Sequence, residues 1–296
     1  MVGTELGNHP FNNLEFHKYK NWCHAIKILK SFKRMDTSIF YGDFYNSFLF
    51  ILAKIQFYFT YHDNWPELEN QGVSNSIQSL FYTNIYRKIF KKARLTITVS
   101  KFKLHFIRKY TNKAELIYNG FNQEISDMTT NSNFVGKKII MVGNIDKRKY
   151  AFALKLFEKI TVDNEMLIDI YGNITDSKMA NQLNAYTFVN LKGFVELIPY
   201  GSYKFLLHTS AMENLPIVFC EAIHNNLPVI AFDVGGSDEI IDKNNGVLIP
   251  PYDLSKMEKT IADVMNGSIN LQPSLDLLEK HSWENASREY AKRMAV

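Results

Sequence analysis

The sequence predicts an α/β protein built on doubly wound parallel sheets and divided into two domains. Three observations lead there. With 296 residues the chain is longer than one hydrophobic core usually covers. Its second half alternates six short apolar runs with helix-period segments, and its first half repeats the alternation with four. Between the halves, Phe121 to Gly136 is polar and aperiodic and reads as a linker.

Taken in order, the first half offers strands at 37–42, 56–62, 95–100 and 114–119, with helices at about 18–33, 44–54, 76–92 and 101–110. The second half offers strands at 137–143, 166–172, 188–193, 204–210, 228–233 and 246–250. These runs are short and apolar and mostly end in Gly, Ser, Asp or Pro, as strands buried on both faces of a parallel sheet do. Helix-period segments at 150–162, 176–185, 216–225 and 254–265 separate them, which implies right-handed βαβ crossovers. No internal repeat or low-complexity tract interrupts the pattern.

Composition narrows the function classes. Hydrophobic residues make up 46% and charged residues 22%, which excludes a disordered, collagen-like or coiled-coil chain. Two cysteines, Cys23 and Cys220, make neither a disulfide framework nor a four-thiolate zinc site. The first fifteen residues contain no apolar run, and the greasiest stretch, Phe48 to Phe59, is broken by Lys54 and Gln56. A cytoplasmic protein is therefore expected. No Asp-x-Asp occurs and the eight histidines show no paired spacing, so no metal is expected.

The charge is uneven. Residues 1–130 carry 17 Lys and Arg against 10 Asp and Glu, whereas residues 131–296 carry 17 against 20. From Asn70 to Ala114 there is no acidic residue, and nine cations fall among aromatics between Phe81 and Tyr110. Such a patch serves nucleic acid, an anionic membrane or a phosphate-bearing substrate, unless it is a plain solvated face. On a helix over 76–92, Arg87, Lys88, Lys91 and Lys92 share one broad face.

The segment from Ser210 to Ile241 carries the chemistry. It begins where the strand at 204–210 ends, at the sheet edge where open α/β folds bind ligands. Pro216 suits the first turn of a helix, whose free N–H groups at Ile217 and Val218 make a phosphate site. Glu213 precedes that helix and Glu221 lies within it; a carboxylate there accepts hydrogen bonds from vicinal hydroxyls such as those of a ribose. By itself the pair also fits a capping box at Ser210-x-x-Glu213 and a solvated Glu221.

Glu213-(x7)-Glu221, followed by Ala222, Pro228-Val229-Ile230 and Gly235-Gly236-x-x-Glu239, resembles the donor-site signature of retaining GT-B glycosyltransferases of family 4. Met141-Val142-Gly143, Tyr171-Gly172, Lys192-Gly193-Phe194-Val195, Asn245-Gly246-Val247-Leu248-Ile249 and Ser282-Trp283-Glu284 fall in the family's order. Tyr61-His62-Asp63, Thr98-Val99-Ser100 and Tyr118-Asn119-Gly120 match weaker landmarks. The resemblance covers about 35–296. It implies two Rossmann-like domains facing a cleft: an acceptor-side domain at 1–124, shortened because the family's opening strand and glycine-rich loop are not found, and a nucleotide-sugar domain at 131–281. The final helix, 282–296, would pack back on the first domain. The family usually places an Arg directly after the glycine and a Lys five residues later. Here Gly143 is followed by Asn144, Lys149 keeps the lysine position, and Lys147 and Arg148 are candidates for the second cation.

The resemblance further implies a hexosyltransferase that uses a nucleotide sugar on a glycan or lipid-linked acceptor, in surface-polysaccharide synthesis at the inner face of the membrane. Nucleic acid is not expected as a partner. Lys149 would neutralise the leaving diphosphate, Glu221 hold the ribose, and Glu213 contact the sugar. Gly143, Asn144, Gly172, Phe194, Val195, Asn214, Leu215, Pro216 and Ile217 would complete the donor site, and His62 would join the catalytic residues. A nucleotide-sugar 2-epimerase and an inactive nucleotide-sugar-binding remnant are the alternatives.

Overall fold

The computed structural model describes residues 2–3, 17–34, 39–64, 76–121, 137–160 and 166–294. The expected linker at 121–136 lies outside them, apart from Phe121. The chain divides into two compact units. The first comprises Met1–Val99, Lys103–Ile117 and Lys292–Val296; the second comprises Ser100–Phe102 and Tyr118–Ala291. No helix among the described residues is long and apolar enough to cross a membrane.

The first unit begins with β1 (Val2–Gly3) and β2 (His17–Lys18), a parallel pair. There follow α1 (Trp22–Lys33), β3 (Tyr41–Gly42), α2 (Phe44–Ala53), β4 (Tyr58–Tyr61), α3 (Ser76–Lys92), β5 (Leu95–Thr98), α4 (Lys101–Ile107), which starts in the second unit, and β6 (Ala114–Leu116). Strands β3 to β6 form a parallel sheet in chain order. Its core is aromatic: Phe57, Phe59 and Tyr61 are fully buried, with Tyr86 and Phe90 of α3 lying 5.3 and 5.6 Å from the Tyr61 ring. Helix α2 starts because Asp43 accepts a hydrogen bond from the Asn46 N–H, and it stops at Lys54, which adopts a left-handed conformation.

The second unit is built on β7 (Lys138–Val142), α5 (Lys147–Phe157), β8 (Leu167–Tyr171), α6 (Ser177–Leu183), β9 (Val189–Gly193), β10 (Phe205–His208), α7 (Ile217–His224), β11 (Val229–Phe232), β12 (Gly246–Ile249), α8 (Leu254–Met265) and the start of α9 (Trp283–Met294). All six strands are parallel, in the spatial order β9-β8-β7-β10-β11-β12. The strand order reverses between β7 and β10, so a crevice opens there at the carboxyl ends. Gly143–Lys149, which runs into α5, and Thr209–Pro216 follow these two strands and are the segments singled out by sequence. One face of the sheet packs Ile139, Met141, Ile168 and Ile170 against Ala153, Leu156 and Leu183 of the helices, all within 2% exposure, and against Met257 of α8.

Three helix starts in this unit are fixed by acidic caps. Asp146, Asp176 and Asp253 accept from the N–H groups of Lys149, Met179 and Lys256, each cap contributing about 1 kcal/mol. Two distant segments also run together: the Phe121 N–H donates to His281 O at 3.0 Å and Phe121 bridges to Ser282. Gly120 sits so close that a Cβ there would lie 2.4 Å from the Trp283 nitrogen.

Candidate functional site

Four groups converge at the carboxyl edge of the second sheet. Asp146 caps α5, and the first turn it fixes turns Arg148 and Lys149 toward the loop after β10. Arg148 Nη1 lies 3.2 Å from Glu213 Oε1 and donates to Met212 O at 3.0 Å; Lys149 Nζ lies 3.4 Å from the same Glu213 oxygen. His208, the last residue of β10, brings Nε2 to 3.4 Å from it as well. Burial pushes the Glu213 carboxyl up, but the His208 contact and the charges of Lys149 and Arg148 outweigh it and hold the group well below the usual carboxylate range. Burial lowers His208, so its imidazole is neutral near pH 7.

The loop itself is tied down from several sides. The Ala211 N–H donates to Arg148 O at 2.9 Å, Tyr252 Oη to Ala211 O at 3.0 Å, and Ser100 Oγ to Asn214 Oδ1 at 2.6 Å. Gly235 has φ +64°, and a Cβ there would meet Glu213 O at 1.8 Å, so only glycine fits this close approach. Gly143 likewise has φ +144° and leaves the space that the Lys149 side chain crosses. The capping-box alternative fails, because Ser210 Oγ donates to Met212 O and Glu213 faces the cations.

Pro216 stands one position earlier than expected. It is the N-cap of α7, with ψ 93°, rather than a first-turn residue. Its extended backbone still lets α7 begin at Ile217, and the N–H groups of Ile217 and Val218 have no partner in the preceding turn. Glu221, in mid-helix, accepts a hydrogen bond from Tyr200 Oη at 2.8 Å. Burial raises the Glu221 carboxyl while the tyrosine pulls it down.

The remaining expected positions are scattered in character. Asn144 is exposed and contributes no cation, whereas Arg148 does; Lys147 is exposed. Gly172 follows β8, Phe194 is 67% exposed after β9, with Val195 beside it, and Asn214 and Leu215 are buried in the donor loop. His62 belongs to the first unit, exposed at the end of β4, next to Asp63, which accepts a hydrogen bond from Tyr86 Oη. Thus Glu213, Lys149 and Arg148 come together, Glu221 is held by its own partner, and His62 lies in the other unit. Glu239 of the glycine motif is engaged structurally, accepting from the Lys101 and Phe102 N–H groups and Tyr118 Oη. Sequence reasoning missed Tyr200 as the partner of Glu221, and His208 entered it only as part of the strand at 204–210; neither carries a local signal.

In the first unit, Arg87, Lys88, Lys91 and Lys92 are all exposed on α3, with the Arg87 guanidinium 5.5 Å from the centre of the Tyr110 ring. Of the neighbouring aromatics, Phe81 is 62% exposed while Tyr86 and Phe90 are core residues.

Comparison with known proteins places the chain in a family. Residues 123–284 match the family model described as glycosyl transferases group 1, and residues 4–125 the one described as glycosyltransferase family 4. The second match starts well before residue 35, where the motifs first point to the family. A poly(ribitol-phosphate) alpha-N-acetylglucosaminyltransferase of Staphylococcus aureus (strain COL) is 27% identical over 225 residues, covering 66% of this chain and 45% of its own length. An uncharacterised glycosyltransferase of Methanocaldococcus jannaschii is 25% identical over 222 residues, covering 72% of this chain and 61% of its own. The chain therefore spans about half the length of the curated relatives it matches. The structure of HepE of Anabaena in complex with UDP superposes with a TM-score of 0.73 at 14% identity, covering 95% of this chain and 85% of that one. At that identity the likeness is one of fold, an α/β architecture of Rossmann-like domains of the GT-B kind.

Proposed function

The chain belongs to the glycosyl transferases group 1 family, and from that membership we propose that it moves a hexose from a nucleotide-sugar donor to a glycan or lipid-linked acceptor. We further propose retention of anomeric configuration and a place in cell-surface polysaccharide synthesis. The observation that carries the reading is the convergence of Lys149 and Arg148 on Glu213, just ahead of α7.

Breaking the bond between the sugar and its phosphate puts negative charge on the departing nucleoside diphosphate. Lys149, Arg148 and the N–H groups of Ile217 and Val218 receive that charge, preorganised and partly shielded from water. Arg148 thereby stands in for the cation absent at Asn144, and no metal is assigned a part. Glu221 accepts the ribose hydroxyls, and Glu213 faces the sugar, its charge balanced by the same two cations. Gly143, Gly172, Phe194, Val195, Asn214 and Leu215 line the donor side in this reading, and His62 serves the acceptor side.

The Staphylococcus relative is named for a poly(ribitol-phosphate) acceptor, a polyanion. For this chain, an anionic membrane surface carrying the acceptor suits the exposed Arg87, Lys88, Lys91 and Lys92. In this reading the protein acts as a peripheral one on the cytoplasmic face.

The test is product analysis with nucleotide sugars, with and without glycan and lipid-linked acceptors. Transfer to an acceptor is expected, with Lys149→Ala lowering kcat more than it raises KM, since the charge it meets develops in the transition state. Release of an epimerised nucleotide sugar without any acceptor overturns the reading in favour of an epimerase.

A further inference from the structure

His208 is 3% exposed, yet neither of its ring nitrogens has a hydrogen-bond partner among the described residues. Buried polar atoms are ordinarily satisfied, so an orphaned imidazole beside a reactive loop calls for a reason. Its Nε2 lies 3.4 Å from Glu213 Oε1, the oxygen that Arg148 and Lys149 approach at 3.2 and 3.4 Å. No described residue donates a hydrogen bond to the other oxygen, Oε2. Phe219 of α7 presents its ring 5.0 Å away at 87°, and β11 places Ala231 beside His208. The charged groups facing the imidazole are thus Glu213 from the donor loop and Arg148 and Lys149 from α5.

We propose that His208 is the positioning residue of Glu213 and takes up a proton from solvent when a nucleotide sugar binds. The inference rests on the reading of Glu213, Arg148 and Lys149 as donor contacts. Before binding, burial and the two neighbouring cations disfavour the imidazolium, while Glu213 favours it. The diphosphate of a nucleotide sugar brings two negative charges to Arg148 and Lys149. Their opposition is then cancelled, and the carboxylate faces the imidazole with less competition. The imidazolium holds Oε1 by a charge-assisted hydrogen bond and keeps Oε2 turned to the sugar hydroxyls. Because the bound protein carries more protons than the free one, affinity rises as pH falls through the imidazole range, tenfold for each unit by which binding raises the pKa.

The experiment is calorimetric titration with UDP-glucose, UDP-N-acetylglucosamine and the GDP and ADP counterparts, in two buffers of different ionisation heat. These diphosphate diesters have no phosphate group titrating near neutrality, so the ligand supplies no proton. Wild type is expected to take up a fraction of a proton near pH 6.5. His208→Gln keeps an amide N–H within reach of Oε1 and should bind more tightly than His208→Leu, yet lose that uptake. Any exchange at Glu221 is common to all three proteins and cancels in the comparison. Equal proton uptake in wild type and His208→Gln overturns the proposal. Glu213→Gln separates the two levels: unchanged donor affinity in that variant, or no binding of any nucleotide sugar by wild type, removes the donor reading itself. Weakened binding in Glu213→Gln with uptake unaltered in His208→Gln removes only the role of His208.

Discussion

Replacing Glu221 by Ala separates two jobs that one carboxylate performs. Within the fold it accepts a 2.8 Å hydrogen bond from Tyr200 Oη, a residue only 3% exposed. Truncation leaves that hydroxyl buried without a partner, at a cost of about 1–3 kcal/mol. At roughly 2–4 °C per kcal/mol for a domain of this size, Tm should fall by about 2–12 °C. Toward the donor, the carboxylate is assigned two hydrogen bonds from ribose hydroxyls. Losing charged hydrogen bonds weakens binding by about 1.5–3 kcal/mol, or roughly 10- to 150-fold in Kd. The double variant Glu221→Ala, Tyr200→Phe tells these effects apart. Removing both polar partners should restore much of the stability, because no hydroxyl is left unpaired, while nucleotide affinity stays low. Differential scanning calorimetry reads the first quantity and titration with a nucleoside diphosphate the second. Unchanged affinity in Glu221→Ala refutes the ribose assignment; affinity recovered in the double variant traces the loss to unfolding instead.

Two further outcomes follow from groups described above. His281 is fully buried, with its ring 4.6 Å from that of Tyr118, and burial with the Lys280 charge pushes its pKa down to about 4. The unfolded chain thus binds a proton near pH 6.5 that the folded one refuses until about pH 4. Stability should fall across that window by about 3 kcal/mol, and His281→Phe should flatten this limb in pH-dependent denaturation. On the first unit, Arg87, Lys88, Lys91 and Lys92 should bind anionic but not neutral liposomes, at about 1 kcal/mol per cation, with steep loss between low and physiological salt. Equal binding to both vesicle types, or none at low salt, leaves these residues a solvated face.

The second sheet was legible because its strands are long enough to show themselves: 188–193 is found at Val189–Gly193 and 204–210 at Phe205–His208. Helix starts were less legible. The helix expected from 150 begins at Lys147, because the side chain of Asp146 satisfies its first turn, a local event that hydrophobic period does not register. In the first half, the strands expected at 56–62 and 95–100 shrink to four residues each, since the burial of Phe57, Val99 and Ser100 extends beyond the backbone pairing. The pairing of Lys149 with Glu213 came through the motif. Arg148 was one of two candidates, and only geometry separates it from Lys147. Tyr200 was invisible because it reaches Glu221 across 21 positions from a short 3-10 turn, and His208 because its apolar neighbours describe its strand but not the carboxylate beside it.

Gly120 and Trp283 have a practical consequence for anyone who cuts this chain. The backbone segments at 118–121 and 281–283 lie side by side, joined through the Phe121 N–H and with no room for a side chain at Gly120. A fragment limited to 131–281 discards one of these neighbours and truncates the other, exposing His281 and the end of the sheet's cover to water. Residues 100–102 go with them, taking the backbone donors that Glu239 binds. A second half that keeps these contacts therefore has to be assembled from two separate stretches of sequence, 100–102 and 118–291. A chain severed after Phe121 would keep 118–121 held against 281–283, so its two pieces should stay together under native conditions and part in denaturant.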